Sequence, residues 1–262
     1  MNTTIKKIKL AGVSNIIAIA SGKGGVGKST VSAGLALALS RKCYKVGLMD
    51  ADVYGPSIPV LTETIGFKPL PIESDGKSPQ ITPAEKHRIK IQSIGYFIDE
   101  KKAAIWRGPM ASNTLMQLIE QTAWCKLDFL IIDFPPGTGD IQLSIMQQLD
   151  ITGAIIVTTP QTIAVTDATK AIEMISNDAF SIPILGIVEN MSWFTPILHP
   201  NEKYFIFGKD GGKQLASQLK VPLLAQIPVL IENGNTSTSD DFVDITHPDF
   251  IPYFDALASK LQ

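Results

Sequence analysis

Short apolar runs rich in β-branched residues alternate along the chain with longer segments in which apolar positions recur at helical spacing. The apolar runs predict β-strands at residues 16–20, 45–49, 89–94, 129–133, 154–158, 184–189 and 223–227. The longer segments predict helices at residues 28–41, 112–121, 141–149, 164–176, 213–219 and 250–261. Several strands are apolar throughout, which is typical of strands covered on both faces. The pattern therefore predicts an α/β fold, with a doubly wound, mostly parallel sheet flanked by helices.

The composition is that of a folded globular chain. Of the 262 residues, 45% are hydrophobic and 18% are charged, which excludes disordered, collagen-like and coiled-coil proteins. Residues 66–86 contain several prolines, and because sheet elements flank them we predict a surface excursion there and not a linker. We expect a single domain over residues 1–262, with residues 1–15 as an N-terminal extension and no separate accessory domain.

The charge balance and the cysteine content narrow the class of protein further. The chain has 23 Lys and Arg against 25 Asp and Glu, without the basic excess of a nucleic-acid binder. Its apolar runs are far shorter than the roughly 20 residues that cross a bilayer, so we expect no membrane partner. Two cysteines, Cys43 and Cys125, provide no disulfide framework and indicate a reducing compartment. We therefore expect a cytoplasmic protein.

A glycine-rich loop lies between the first predicted strand and the first predicted helix. It satisfies the G-x-x-x-x-G-K-[ST] pattern and consists of Ser21, Gly22, Lys23, Gly24, Gly25, Val26, Gly27, Lys28, Ser29 and Thr30. Glycines let the backbone wrap closely around phosphates, and the N–H groups and the helix dipole attract negative charge. The Lys28 ammonium reaches the β- and γ-phosphates in such a loop, and the Ser29 hydroxyl can bind Mg²⁺. We predict that this loop binds ATP with Mg²⁺.

Carboxylates follow two of the predicted strands at the same edge of the sheet. Asp50 and Asp52 come at the end of one strand, where one carboxylate would help hold the hydrated metal ion and the other would orient the attacking water. The alternative is a helix cap and a turn. Asp133 ends another strand, at the position that accepts from the phosphate-loop hydroxyl or from metal-bound water. Gly137 and Gly139 would let the following loop approach the γ-phosphate.

Two later residues are candidates for contact with the nucleotide base. Asn190 ends the strand predicted at 184–189, and its amide carries both a donor and an acceptor, as the adenine edge does. Pro228 follows the last predicted strand and could cover the base. The alternative for each residue is an ordinary turn or strand-ending position.

A second lysine inside the loop, Lys23, gives the form G-K-G-G-V-G-K-S. This form resembles the deviant phosphate-loop ATPases, which include MinD, the nitrogenase iron protein and the Mrp/ApbC proteins. The resemblance implies that Lys23 crosses a homodimer interface to the partner's ATP, where its charge would act like an arginine finger supplied in trans. It also implies that Asp52 orients the water and that Asp50 lies on the metal side. Lys28 and Asp133 complete the predicted catalytic set.

Further segments resemble the Mrp/ApbC iron–sulfur cluster carrier ATPases in particular. They lie at residues 105–110, 135–140, 157–161, 188–192 and 206–208, within a match that runs from about residue 16 to about residue 234. The resemblance implies a homodimer, ATP hydrolysis, and delivery of [4Fe–4S] clusters to apoprotein clients or exchange with cluster-assembly proteins.

One feature of that family is missing from this sequence. Its carriers hold the cluster with a C-x-x-C pair shortly after the Asn-Met-Ser segment. Here the corresponding positions are Pro196 and His199, or Ile197 and Pro200, depending on the direction of counting. Because clusters are held by thiolates, we identify no cluster ligands. Two alternatives stay open: an ATP-dependent scaffold or switch that carries no cluster, and a MinD-like membrane-associated positioning ATPase.

Overall fold

The computed structural model describes residues 7–72, 79–97, 108–196, 198–229 and 245–261. Its helices are α1 (Lys28–Arg41), α2 (Ile58–Leu61), α3 (Gly108–Gln121), α4 (Asp140–Gln148), α5 (Thr162–Ile175), α6 (Gly211–Leu219) and α7 (Ile251–Ser259). Its strands are β1 (Val13–Ala20), β2 (Val46–Asp50), β3 (Pro71–Ile72), β4 (Gln80–Ile81), β5 (Ala84–Lys86), β6 (Ile89–Ser93), β7 (Leu127–Asp133), β8 (Gly153–Thr158), β9 (Ile184–Glu189) and β10 (Leu223–Gln226).

The described residues form one large sheet in the strand order β10-β9-β8-β1-β7-β2-β6-β5. Every neighbouring pair in it is parallel except β5 with β6. In the register, Asp133 of β7 lies beside Ile19 of β1 on one side and beside Asp50 of β2 on the other. The carboxyl ends of these three central strands therefore bring the glycine-rich loop and the predicted carboxylates together.

The sheet separates two apolar cores, and β1 contributes to both. Ile17 and Ile19 belong to the core that includes α1 and α7, whereas Ala18 and Ala20 belong to the core that includes α3, α4 and α5. Because successive side chains of a strand point to opposite faces, a strand that is covered on both faces must be apolar throughout. This is the physical reason for the continuous apolar runs in the sequence.

The predicted doubly wound, mostly parallel α/β fold is confirmed. The predicted strands and helices are present, with ends that differ by a few residues, as when β1 begins at Val13. The pattern did not predict the short α2, the β3–β4 pair or the antiparallel β5, because elements of two to four residues carry no readable periodicity. In the part of the chain that the structure describes, no helix has the length and apolar character to cross a bilayer.

Candidate functional site

The glycine-rich loop leads from β1 into the first turn of α1, and two of its glycines are required by geometry. Gly27 has a φ of 79°, and a Cβ atom there would lie 2.2 Å from Nδ2 of Asn190. A Cβ atom on Gly22 would lie 2.0 Å from the backbone carbonyl carbon of Asp167 in α5. Any side chain at these two positions would therefore displace the loop from its neighbours.

A cavity of about 340 Å³ opens in front of this loop, in the lower part of the size range for ligand sites. Its walls come from the loop, from the chain after β2, from α2 and from the chain after β7. The lining residues are Ser21, Lys23, Gly24, Gly25, Gly27, Lys28, Ser29, Thr30, Asp52, Gly55, Ser57, Val60, Leu61 and Pro136. Val26 of the loop is buried instead in the core beneath it. Glycine backbone, two lysines and a helix N-terminus in one cavity form a site suited to a polyanion.

Asp133 is fully buried, and the first two turns of α1 supply the groups that stabilise its carboxylate. The Lys28 ammonium lies 2.8 Å from Oδ2, and the Ser29 hydroxyl donates to the same oxygen at 2.6 Å. Ser32 donates to Oδ1, also at 2.6 Å. Sequence reasoning brought Lys28, Ser29 and Asp133 together but missed Ser32, although its position one turn after Lys28 places it on the same helix face.

Asp50 is also fully buried, at the end of the neighbouring strand β2. Its Oδ1 accepts from the backbone N–H of Asp52, and its Oδ2 accepts from the hydroxyl of Ser93 and the N–H of Ile58. Burial raises the pKa of Asp50 from 3.8 to about 8, and repulsion by the Asp133 carboxylate is the second cause of this shift. The positive charge of Lys28 opposes the shift. The described contacts of Asp50 are thus with the protein, and its predicted place on the metal side stays a prediction.

Asp52 differs from Asp50 in that it lines the cavity. Its Oδ1 accepts from the backbone N–H groups of Tyr54 and Gly55, which hold the carboxylate in place. Burial raises the pKa of Asp52 above its ordinary value, while Lys28 lowers it and Asp133 raises it further. A carboxylate of raised pKa is a stronger base, so this position suits the predicted orientation of a water molecule.

The loop after β7 is hydrogen-bonded both to the start of the glycine-rich loop and to α4. The N–H of Gly137 donates to the carbonyl of Ser21 at 2.9 Å. The amide nitrogen of the buried Gln142 donates to the carbonyl of Pro135. Displacement of this loop would therefore be transmitted directly to the start of the phosphate loop, whereas the approach of Gly137 and Gly139 to a γ-phosphate stays a prediction.

The two predicted base-contact residues lie in different surroundings. Asn190 is buried at the end of β9, and its Nδ2 donates to the carbonyl of Val26 inside the glycine-rich loop at 2.9 Å. Pro228 is buried just after β10, between Ile227 and Val229, whose N–H groups donate to the carbonyls at positions 189 and 193. Contact of either residue with a nucleotide base stays a prediction.

Glu189 is a buried carboxylate that the sequence analysis did not single out, and it connects several elements at the carboxyl ends of the strands. Glu189, the last residue of β9, accepts from the hydroxyl of Ser192 at 2.8 Å, from the N–H of Gly212 at 2.6 Å and from the amide of Gln226 at 2.8 Å. It therefore joins β9, α6 and β10 directly beside Asn190. The sequence contained one signal for it, a charged residue at the end of an otherwise apolar strand.

The segment in which the resembled family carries its cysteine pair forms a surface hairpin, in which Phe194 pairs with Tyr204 through hydrogen bonds between their backbones. His199 is exposed there, and its Nδ1 lies 3.3 Å from Oε1 of Glu202. Position 197 lies outside the described residues, as do positions 105–107 of the motif at 105–110. Across the described ranges, no group of three or more His, Cys, Asp and Glu side chains is arranged to hold a metal ion.

A parallel sheet whose first strand leads through a G-x-x-x-x-G-K-S loop into a helix, with a strand-end aspartate beside the loop hydroxyl, defines a P-loop nucleotide-binding protein. A family model described as ParA, NUBPL iron-transfer P-loop NTPase, matches residues 12–260, and the chain belongs to that family. The family resemblance seen in the sequence motifs is thereby confirmed.

Individual relatives agree with this assignment. The chain is 46% identical over 242 residues to the iron-sulfur cluster carrier protein of Aquifex aeolicus, an alignment that covers 92% of this chain and 65% of that relative. A nucleotide-binding protein of Archaeoglobus fulgidus, solved in complex with ADP, is 33% identical with a TM-score of 0.71, covering 95% of this chain and 88% of the other. The cell division ATPase MinD of Pyrococcus furiosus, 20% identical with a TM-score of 0.60 and coverage of 95% and 98%, shares the fold.

Proposed function

We propose that this protein binds and hydrolyses ATP and uses the hydrolysis to transfer iron–sulfur clusters to apoproteins. Membership of the iron-transfer P-loop NTPase family supports the biological role. The observation that carries the nucleotide chemistry is the convergence of Lys28, Ser29 and Asp133 at the mouth of the glycine-rich loop, with 2.8 and 2.6 Å between their polar atoms.

The residues of the loop fit a nucleoside triphosphate with Mg²⁺. Backbone N–H groups from Gly22 to Thr30 and the ammonium of Lys28 would bind the phosphates. The hydroxyl of Ser29 and the nearby carboxylates are hard oxygen ligands, which Mg²⁺ prefers, and Asp50 would act on the metal side directly or through water. When bound, Mg²⁺ neutralises charge that develops on the phosphate oxygens. Asp52, which lines the cavity, would orient the attacking water.

We further propose that the active form is a homodimer in which Lys23 completes the partner's site. Lys23 lines the cavity but is only partly buried, so its ammonium is available to a second chain. A second positive charge near the transferring phosphoryl group would stabilise the transition state as an arginine finger does. We place this dimer in the cytoplasm, without a nucleic-acid or membrane partner, as an expectation from composition.

The cluster is cargo in this proposal. A second candidate function follows from the question of which protein supplies the ligands of the cluster. In this sequence the family's cysteine-pair positions hold no cysteine, and both Cys43 and Cys125 lie away from that hairpin. This observation favours an ATP-dependent scaffold or switch that brings cluster donors and clients together without ligating the cluster itself. In that case a client or a donor would supply the thiolates.

The nucleotide proposal is tested with the Lys28→Ala variant. We expect loss of measurable ATP and ADP binding by calorimetry, with the circular dichroism spectrum retained. Lys213→Ala is the matched control, because Lys213 also follows glycines at the start of a helix but is exposed on α6. Nucleotide binding by Lys28→Ala at the level of the control would contradict the proposal.

The cluster role is tested by anaerobic reconstitution with ferrous iron and sulfide, followed by iron and sulfide quantification and by activation of an apoprotein client. Retention of a cluster that is transferred in an ATP-dependent manner supports the carrier. A colourless protein that still accelerates ATP-dependent transfer from a separate donor supports the scaffold. A protein that does neither would refute both functions.

A further inference from the structure

A second cavity, of about 580 Å³, lies at the opposite end of the sheet from the glycine-rich loop. It is formed where the chain enters β2 and β7, and both cysteines of the sequence line it. Cys43 precedes β2 and Cys125 precedes β7, and these strands are neighbours in the sheet. The nucleotide site uses the carboxyl ends of the same strands, so the two cavities are separated by the full length of the sheet.

The walls of this cavity carry positive charge. Lys45, Arg88, Lys90 and Lys126 line it, and none of the described residues that line it is acidic. Arg88 is held in place, since its guanidinium donates to the carbonyl of Ser40 at 3.2 Å. Clustered cations of this kind raise the local concentration of anions and speed their arrival.

Two carboxylates contact this group of basic residues, but they are outnumbered by its four cationic side chains. Glu85 reaches Lys90 at 3.7 Å, and a carboxylate oxygen of Asp128 accepts from the backbone N–H of Lys45. Lys126 and Arg88 are exposed and face the cavity as well.

The two thiols are free and exposed, but their surroundings differ. The ammonium of Lys90 lies 3.4 Å from the sulfur of Cys125 and 3.1 Å from the carbonyl of Ala123. The sulfur of Cys43 lies 3.9 Å from the carbonyl of Arg41, and the sulfur of Cys125 lies 3.6 Å from the carbonyl of Ala123, so each thiol has a carbonyl acceptor and the two differ in the ammonium beside Cys125. An anionic ligand attracted to the ammonium of Lys90 would therefore lie beside the sulfur of Cys125, which makes Cys125 the position expected to react.

We propose that this cavity binds disulfides of small anionic thiols and that Cys125 exchanges with them. The sulfur of Cys125, after losing its proton to solvent, attacks one sulfur of the bound disulfide. The S–S bond of the ligand breaks, a new S–S bond joins Cys125 to one half, and the other half leaves as a thiolate that takes up a proton. The bound disulfide is the oxidant and is reduced as Cys125 is oxidised, so the exchange is balanced.

The test uses glutathione disulfide, which is anionic, and cystamine, a dicationic disulfide of similar reactivity, on the full chain. Intact-protein and peptide mass spectrometry follow the adduct and its position. We expect a single glutathione adduct on Cys125, formed on the order of tenfold faster than the cystamine adduct. The adduct should disappear in Cys125→Ser and persist in Cys43→Ser.

The Lys90→Gln variant distinguishes a cavity that binds anionic disulfides from a thiol that is merely exposed to solvent. We expect it to slow the reaction with glutathione disulfide by roughly tenfold while leaving the reaction with cystamine unchanged or faster. Lys213→Gln, at an exposed position of α6, is the control and should alter neither rate. Nucleotide binding by all variants reports that they are folded, because the two cavities lie at opposite ends of the sheet.

Three results would overturn the proposal. The first is equal rates with the anionic and cationic disulfides. The second is modification of Cys43 in place of Cys125. The third is oxidation that yields only a Cys43–Cys125 disulfide without an adduct, since the added disulfide would then serve as an oxidant and not as a ligand.

Discussion

The hydroxyl of Ser32 donates to Oδ1 of Asp133 at 2.6 Å and also lies 3.1 Å from the carbonyl of Lys28. Ser29 and Lys28 contact the other carboxylate oxygen, so the first turns of α1 surround the end of β7. A buried carboxylate is stable only when it is paired and hydrogen-bonded. The phosphate loop and the strand-end aspartate are therefore one structural unit.

We expect Ser32→Ala to lower the free energy of unfolding by about 1–3 kcal/mol, because Oδ1 of Asp133 loses the donor that Ser32 supplies. Urea unfolding measures the change. Ser40→Ala is the matched control, since Ser40 is a buried serine of the same helix that donates to the neutral carbonyl of His87. Equal losses in the two variants would contradict the special role of the charged acceptor.

The role of Lys23 in trans is tested by mixing two inactive variants. We expect Lys23→Ala to retain ATP binding and to lose kcat on the order of a thousandfold. Asp52→Asn should also be inactive. Equal amounts of the two variants should recover about a quarter of wild-type ATPase activity, because half of the randomly paired dimers are mixed and each contains one complete site. A mixture that stays inactive would show that Lys23 acts within its own chain.

The raised pKa of Asp50 predicts how stability changes with pH. In the native state Asp50 keeps its proton up to a pH of about 8, whereas in the unfolded chain it releases the proton near 3.8. Between these values the native state binds more protons, so the free energy of unfolding falls as pH rises and levels off above the native pKa. Asp52 adds a contribution of the same sign, because its pKa is also raised.

We expect Asp50→Asn to flatten this dependence across the interval from about 4 to about 8, as measured by urea unfolding at a series of pH values. Asp178→Asn, which changes an exposed aspartate, should keep the wild-type slope. An unchanged slope in Asp50→Asn would contradict the assignment of the proton to Asp50.

Asn190 has two candidate roles, contact with the nucleotide base and support of the glycine-rich loop. A measurement of nucleotide selectivity distinguishes them. Its Nδ2 donates to the carbonyl of Val26, and the amide has a second hydrogen and an oxygen that would serve adenine. If it contacts the base, Asn190→Ala should lower the preference for ATP over GTP by about tenfold in competition binding. Ser192→Ala perturbs the same turn through Glu189 and should leave the preference unchanged. A parallel loss of ATP and GTP affinity would restrict Asn190 to support of the loop.

Much of the fold could be predicted because it depends on local patterns. Alternation of apolar strands with helical segments identified the main sheet, and the glycine and lysine spacing identified the phosphate loop. The short β5 and α2 could not be predicted, because their conformation depends on neighbours and not on their own residues.

The sequence by itself determined the residue types that can surround a triphosphate, and it determined that the family's cysteine pair is missing. The tertiary structure alone decided which carboxylate faces which partner. Asp50 and Asp52 are two residues apart, yet one lies in a closed set of protein donors and the other lines the cavity. It likewise brought Cys43 and Cys125 into one basic cavity. Burial, charge and hydrogen-bond partners come from residues distant in sequence, so no local pattern contains them.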